Sequence, residues 1–253
     1  MSSTFGDRIH IPKRFYERTD GSKLPPFAPL RKNKTWIEQG PEAWNEIQRQ
    51  RDTGFEVPEE AFHKIVSYQD DILTASRSIR AMDVYQIAKI LKAVHGTGGT
   101  VYIAGNGGSA ANALHLSGHL DVFGFSTNCL VANPVSLTAL SNDRGYEKGL
   151  DRRMFQGPRS LPSGRNVEDV LVVFSCSGRS KNVTRLASCF NYTTGQKGIG
   201  LIGDTYPDRS IEKRDLDPLV IVKSENYGVI EDVHSMIIHI VCELLRDMGL
   251  KDK

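Results

Sequence analysis

Val101-Tyr102-Ile103-Ala104-Gly105-Asn106-Gly107-Gly108-Ser109 sets four apolar or aromatic residues directly against a turn of glycine, asparagine and serine. Gly96, Gly98 and Gly99 break the chain just before it. A short apolar run between such breaks predicts a buried strand. In a parallel α/β sheet the loops at the carboxyl ends of strands carry the ligand site. Glycines there let the backbone approach an anion, and the helix that follows offers free N–H groups and the positive end of its dipole. Ser109 adds a hydroxyl donor.

Outward from this point the pattern repeats. Apolar runs at 129–132, 170–174, 199–202 and 219–222 predict four more strands, with segments of helical length between most of them. Upstream, Ala61, Ile65, Tyr68, Ile72 and Ala75 fall at helical spacing, as do Val84, Ile87, Ile90, Leu91 and Val94. Residues 230–248 predict a last long helix with Val233, Ile237, Ile238, Val241, Leu244 and Leu245 on its apolar face. Short apolar strands alternating with helices give a doubly wound α/β fold, a five-stranded parallel sheet covered on both faces. No internal repeat is evident.

Residues 1–58 differ. They hold Pro12, Pro25, Pro26, Pro29, Pro41 and Pro58 of the chain's 11 prolines, spaced among Phe5, Phe15, Tyr16, Phe27, Trp36, Trp44 and Phe55. Proline blocks long helices, so this predicts an irregular amino-terminal arm, with the folded domain at 59–253. Its aromatics argue for an arm packed on its own domain or on a neighbouring subunit rather than a free tail.

With 253 residues the chain can bury a full core. A net charge of +2 gives no electrostatic argument for nucleic acid or a membrane surface. No apolar run approaches the roughly 18 residues that span a bilayer, and the polar residues 1–10 lack a signal peptide's apolar stretch. Cys129, Cys176, Cys189 and Cys242 show no CxxC spacing, which predicts reduced thiols in a cytoplasmic protein.

Gly105, Gly107 and Ala110 also satisfy the dinucleotide pattern GxGxxG/A. That pattern expects a carboxylate at the end of the next strand. Val131-Ala132-Asn133-Pro134 has none, which weakens a nicotinamide site. A second turn strengthens a phosphate site. The run at 170–174 ends in Ser175-Cys176-Ser177-Gly178-Arg179-Ser180, ahead of a helix expected to begin near Lys181. Its hydroxyls and the helix dipole can serve one phosphate; the plainer alternative makes Ser180 an ordinary N-cap.

His115 and His119 are four apart on one helix face, a natural spacing for two ligands of one metal, although partly buried helix histidines also occur without one. Glu231, His234 and His239 form a second group. Glu231 and His239 are eight apart, so both reach one ion only if Glu231 bends inward at the helix entrance. His234 points away from that face and is assigned to packing or solvent contact.

Together, GNGGS at 105–109, SxSGxS at 175–180, Asn142-Asp143 between them, and the pattern E-x-x-H-x-x-x-x-H in the terminal helix resemble the sugar isomerase (SIS) domain family. Within it the sequence is similar to the phosphoheptose isomerases, over about residues 59–250. That resemblance implies a flavodoxin-like sheet, a homotetramer, and conversion of sedoheptulose 7-phosphate to D-glycero-D-manno-heptose 7-phosphate. It places the phosphosugar on Asn106, Gly107, Gly108, Ser109, Asn142, Asp143, Ser175, Cys176, Ser177 and Ser180. The family holds zinc with a His and a Glu four apart, then a Gln and a His eight apart. His115 and His239 match; His119 stands at the Glu position and Glu231 at the Gln position. The implied metal set is His115, His119, Glu231 and His239, and His239, Glu231 and His119 are the implied proton-transfer groups. Either His119 is free as the base, or it binds metal and Glu231 takes over. Gly228 stands where the family offers an Asp to the sugar. Other readings are action on a different phosphosugar, epimerisation, or a non-catalytic adaptor of the kind that associates with a bacterial replication initiator, which Ala110-Ala111-Asn112 resembles.

Overall fold

The computed structural model describes residues 58–155, 169–206, 211 and 215–252. The chain divides between Glu59 and Glu60 into two units. The expected arm, with the prolines and aromatics named above, lies outside the described residues except for Pro58.

The described elements, which apart from Glu59 belong to the second unit, run α1 (Glu59–Ser76), α2 (Ala81–Thr97), β1 (Thr100–Ala104), α3 (Gly108–Val122), β2 (Ser126–Cys129), α4 (Pro134–Arg144), a 3-10 turn (Tyr146–Lys148), α5 (Gly149–Phe155), β3 (Val170–Ser175), α6 (Lys181–Thr194), β4 (Gly198–Gly203), β5 (Leu216–Val222) and α7 (Tyr227–Asp247). The five strands pair in parallel in the order β2-β1-β3-β4-β5. β3 shows why two helical layers are required. Val170, Val172 and Phe174 enter one core, with residues of α2, α3 and α7, while Leu171 and Val173 enter the other, with residues of α5 and α6. Side chains alternate along a strand, so a strand apolar at every position must be covered on both faces.

Three expectations shift. The second strand is Ser126–Cys129, earlier than the apolar run at 129–132, and it forms the sheet edge. An edge strand tolerates polar side chains, which hid it from a search for apolar runs. α1 fully buries only Ala75; Tyr68 and Ile72 are partly buried against the core and Ile65 is half exposed, so its helical stripe is only partly covered among the described residues. The last helix begins at Tyr227, three residues early, because Asn226 caps it: its side chain accepts from Gly228 N. No described helix is long and apolar enough to cross a membrane.

Candidate active site

The strand order places the two Ser/Gly turns together. β1 and β3 are neighbours, and the chain leaves β1 for β2 on one side and returns to β3 on the other. Their carboxyl ends diverge at this switch point, where parallel α/β sheets open a ligand crevice. Gly107 caps α3 and Ser180 caps α6; neither helix has an acidic residue in its first turn. Both helix starts are therefore suited to an anion. Ser180 makes no side-chain cap bond, contrary to the plainer alternative.

The serines divide their work. Ser175 Oγ accepts from Gly178 N at 3.1 Å and Ser177 Oγ from Arg179 N at 3.2 Å, so both hydroxyls shape their own turn. Ser109 and Ser175 are buried, with Ser109 Oγ 3.7 Å from Cys176 Sγ. Asn142 and Asp143 are exposed at the end of α4 and bonded to each other at 3.3 Å.

A tie between the turns escaped the sequence. Asn106 and Asn182 exchange amide hydrogen bonds, each 2.9 Å, and Tyr146 Oη donates to Asn106 Oδ1 at 2.8 Å. Asn182 is 3% exposed. Breaking the pair strands a polar group, which costs about 1–3 kcal/mol. Asn182→Leu is therefore expected to weaken binding of inorganic phosphate about tenfold by titration calorimetry. Unchanged affinity would show that the two turns stand without the tie. On the rim, the Tyr227 hydroxyl is bonded to Tyr206, which raises its pKa, and also to Ser177; the Arg179 guanidinium lies 4.7 Å over the Tyr206 ring.

Beyond the turns, α3 and α7 present matching rows. Gly108, Asn112, His115 and His119 share one side of α3; Glu231, Ser235 and His239 share one side of α7. Asn112 Nδ2 donates to Glu231 O at 3.0 Å, and Ser235 Oγ lies 3.4 Å from His115 Nδ1. Farther along, His115 Nε2 lies 2.9 Å from His119 Nε2 and 3.2 Å from His239 Nε2. Ligand atoms of these three histidines all fall within 4.8 Å of one another.

Glu231, the fourth expected ligand, lies two turns of α7 before His239 and is not one of these three. Its carboxylate instead packs on Gly108, where a Cβ would overlap it, and accepts from the Cys176 thiol at 3.5 Å. Burial, more than the neighbouring carboxylate, pushes that thiol up to about 12, so it stays a proton donor. Burial lowers the pKa of both His115 and His119, with the charges of the neighbouring histidines adding to it. Neutral imidazoles keep a lone pair for a metal. Three nitrogen donors with a position left open suit a catalytic divalent ion, and the Ser235 hydroxyl is placed to orient His115.

His234 turns away from this group, as its spacing requires. It is fully buried, edge-on to Phe174 with ring centroids 5.7 Å apart, and neither ring nitrogen has a hydrogen-bond partner among the described residues.

Comparison with known proteins agrees with this architecture. The SIS domain family model matches residues 66–201. A phosphoheptose isomerase of Burkholderia pseudomallei (strain 1710b) is 35% identical over 169 residues, 64% of this chain and 80% of the relative. One from Helicobacter pylori (strain P12) is 33% identical over 153 residues, 58% of this chain and 74% of the relative. The structure of a phosphoheptose isomerase from Francisella tularensis superposes with a TM-score of 0.63 at 21% identity, over 74% of this chain and 98% of that one, a likeness of fold. On the family match and these relatives, the chain belongs to the SIS domain family.

Proposed function

We propose that the protein is a phosphosugar aldose–ketose isomerase that converts sedoheptulose 7-phosphate to D-glycero-D-manno-heptose 7-phosphate, as the names of its relatives suggest. The observation that carries this reading is the Glu231 carboxylate, seated between the two phosphate turns and free of the histidine group. The turns around Ser109, Ser177 and Ser180 hold the phosphate, and the sugar chain extends toward α7.

Glu231 takes the proton from C1, and the C1–H electron pair forms the C1=C2 bond while the carbonyl electrons move to O2. The O1 proton passes to O2 across the enediol, O1 closes to a carbonyl, and Glu231 returns its proton to C2. One hydrogen moves between carbons and one between oxygens, so the isomerisation balances without an oxidant. His115, His119 and His239 would hold zinc or a similar divalent ion, whose charge when bound polarises the substrate oxygens. Using Nε2 as a ligand removes that nitrogen of His119 and His239 from proton transfer and leaves Glu231 as the base. A homotetramer in the cytoplasm completes the proposal. The convergent histidines favour chemistry over the adaptor alternative, which needs no such group.

The test is incubation with sedoheptulose 7-phosphate, followed by NMR. An aldose phosphate should form, its rate should fall at least about tenfold under a chelator, and added zinc should restore it. No aldose phosphate from metal-replete protein overturns the isomerase; full turnover by metal-free protein overturns the metal. Light scattering that reads a single chain overturns the tetramer.

A further inference from the structure

α7 opens with a gap at its second residue. A Cβ placed on Gly228 would stand 2.8 Å from Tyr68 Oη and 3.7 Å from Tyr68 Cε2. Tyr68 lies on α1, with its ring packed against the main core. Its hydroxyl donates to Asp232 Oδ2 at 2.7 Å, 164 positions away in sequence. The tyrosine thus brings an oxygen to the place where the glycine withholds a side chain, three residues before Glu231, and bonds it to Asp232, the next residue after Glu231.

The chemistry of that oxygen is defined. Its bond to Asp232 is the main reason its pKa is raised to about 12, and the nearby charge of Glu231 adds to the shift. The phenol therefore stays protonated at neutral pH. Its one proton is committed to Asp232, which leaves the oxygen as an acceptor. Sugar hydroxyls are donors as well as acceptors. Glycine at 228 keeps the space beside that acceptor open.

We propose that Tyr68 is a specificity-determining residue, its hydroxyl accepting a hydrogen bond from a hydroxyl of the phosphosugar chain beside Glu231, with Gly228 making room. This rests on the phosphosugar isomerase reading above. Asp232 is a positioning residue in it, since it fixes the direction of the phenol proton. The alternative is a packing tie between α1 and α7 with no part in recognition. The two differ in what they do to sugar and to bare phosphate.

The experiment measures, for each variant, KM for sedoheptulose 7-phosphate and the inhibition constant of inorganic phosphate in the same assay. Tyr68→Phe keeps the ring and its packing. It should raise KM about tenfold, the scale of one lost hydrogen bond, while kcat and the phosphate constant stay within about twofold. Gly228→Ala crowds the hydroxyl and should raise KM in the same direction, again without weakening phosphate. Asp232→Ala removes the α1–α7 bond but leaves the phenol oxygen in place; its KM should rise less than that of Tyr68→Phe. Equal KM in Tyr68→Phe and wild type overturns the assignment, and so does equal damage from Tyr68→Phe and Asp232→Ala, which marks a packing tie. Wild-type protein inhibited by phosphate yet inert toward the sugar phosphate instead overturns the isomerase reading on which the assignment rests.

Discussion

Glu231→Gln is expected to lower turnover about 10²- to 10⁴-fold, the usual consequence of losing an acid–base group, while zinc content stays unchanged. Glutamine keeps the length of the side chain and can still accept from the Cys176 thiol, which lies 3.5 Å from the carboxylate. What it loses is the ability to take a proton. Glutamine is the zinc-binding residue that the resemblance implies at this position, so metal retained in Glu231→Gln does not separate ligand from base, and Glu231→Leu does. If Glu231 were a ligand, the leucine variant would lose metal along with rate; if it is the base, elemental analysis should find the wild-type amount. His115→Ala should do the reverse and empty the metal site first, because His115 Nε2 lies nearest both other histidines. Gly108→Ala offers an independent check: it leaves the carboxylate intact but pushes it from its seat. A fall in kcat intermediate between wild type and Glu231→Gln is expected there. Full activity in Glu231→Gln would return the base to His119.

The second large effect concerns stability. His234 is buried without a hydrogen-bond partner among the described residues, and burial drops its pKa from 6.5 to about 3. The unfolded chain regains the ordinary value. Between those two values the unfolded state binds a proton that the folded state refuses, so stability falls as the pH drops below about 6.5, by about 1.4 kcal/mol per unit. Above 6.5 both states are neutral at this ring and the effect vanishes. His234→Leu removes the titration. Relative to this variant, the wild type should lose about 2.3 kcal/mol between pH 6.5 and pH 4.5 in urea unfolding. At pH 7 the variant should be as stable as wild type or more so, since it also removes two unpaired ring nitrogens. Parallel pH profiles for the two proteins would mean that the ring finds a partner.

How far the sequence spoke depended on where each residue's partners lie. β1, β3 and β4 were legible because central strands buried on both faces must be apolar throughout, and glycine-rich or serine-rich turns bound them. β2 was not, because Ser126, Thr127 and Asn128 sit at an edge that makes no such demand. The two glycine- and serine-rich turns were contiguous motifs and could be quoted directly. Asn182, Tyr146 and Tyr68 act through contacts 76, 40 and 164 positions away, which no local pattern encodes. His115 and His119 were paired correctly by helical spacing. Spacing likewise put Glu231 and His239 on one face of α7, but the seat of the Glu231 carboxylate on Gly108 and the Cys176 thiol could not be read from it.

The amide pair between Asn106 and Asn182 also bears on how the protein is made. One partner follows β1 and the other follows β3, with 76 positions between them. A growing chain that has emerged only through α5 carries the first turn but neither the second turn nor the amide that braces it. It cannot offer the paired turns proposed to seat the phosphate, however well its first strands have collapsed. A ligand stabilises only the form that binds it, so phosphosugar should protect the finished domain from proteolysis and give no protection to chains stalled before β3. Protection by phosphosugar would therefore report that the third strand has taken its place beside the first.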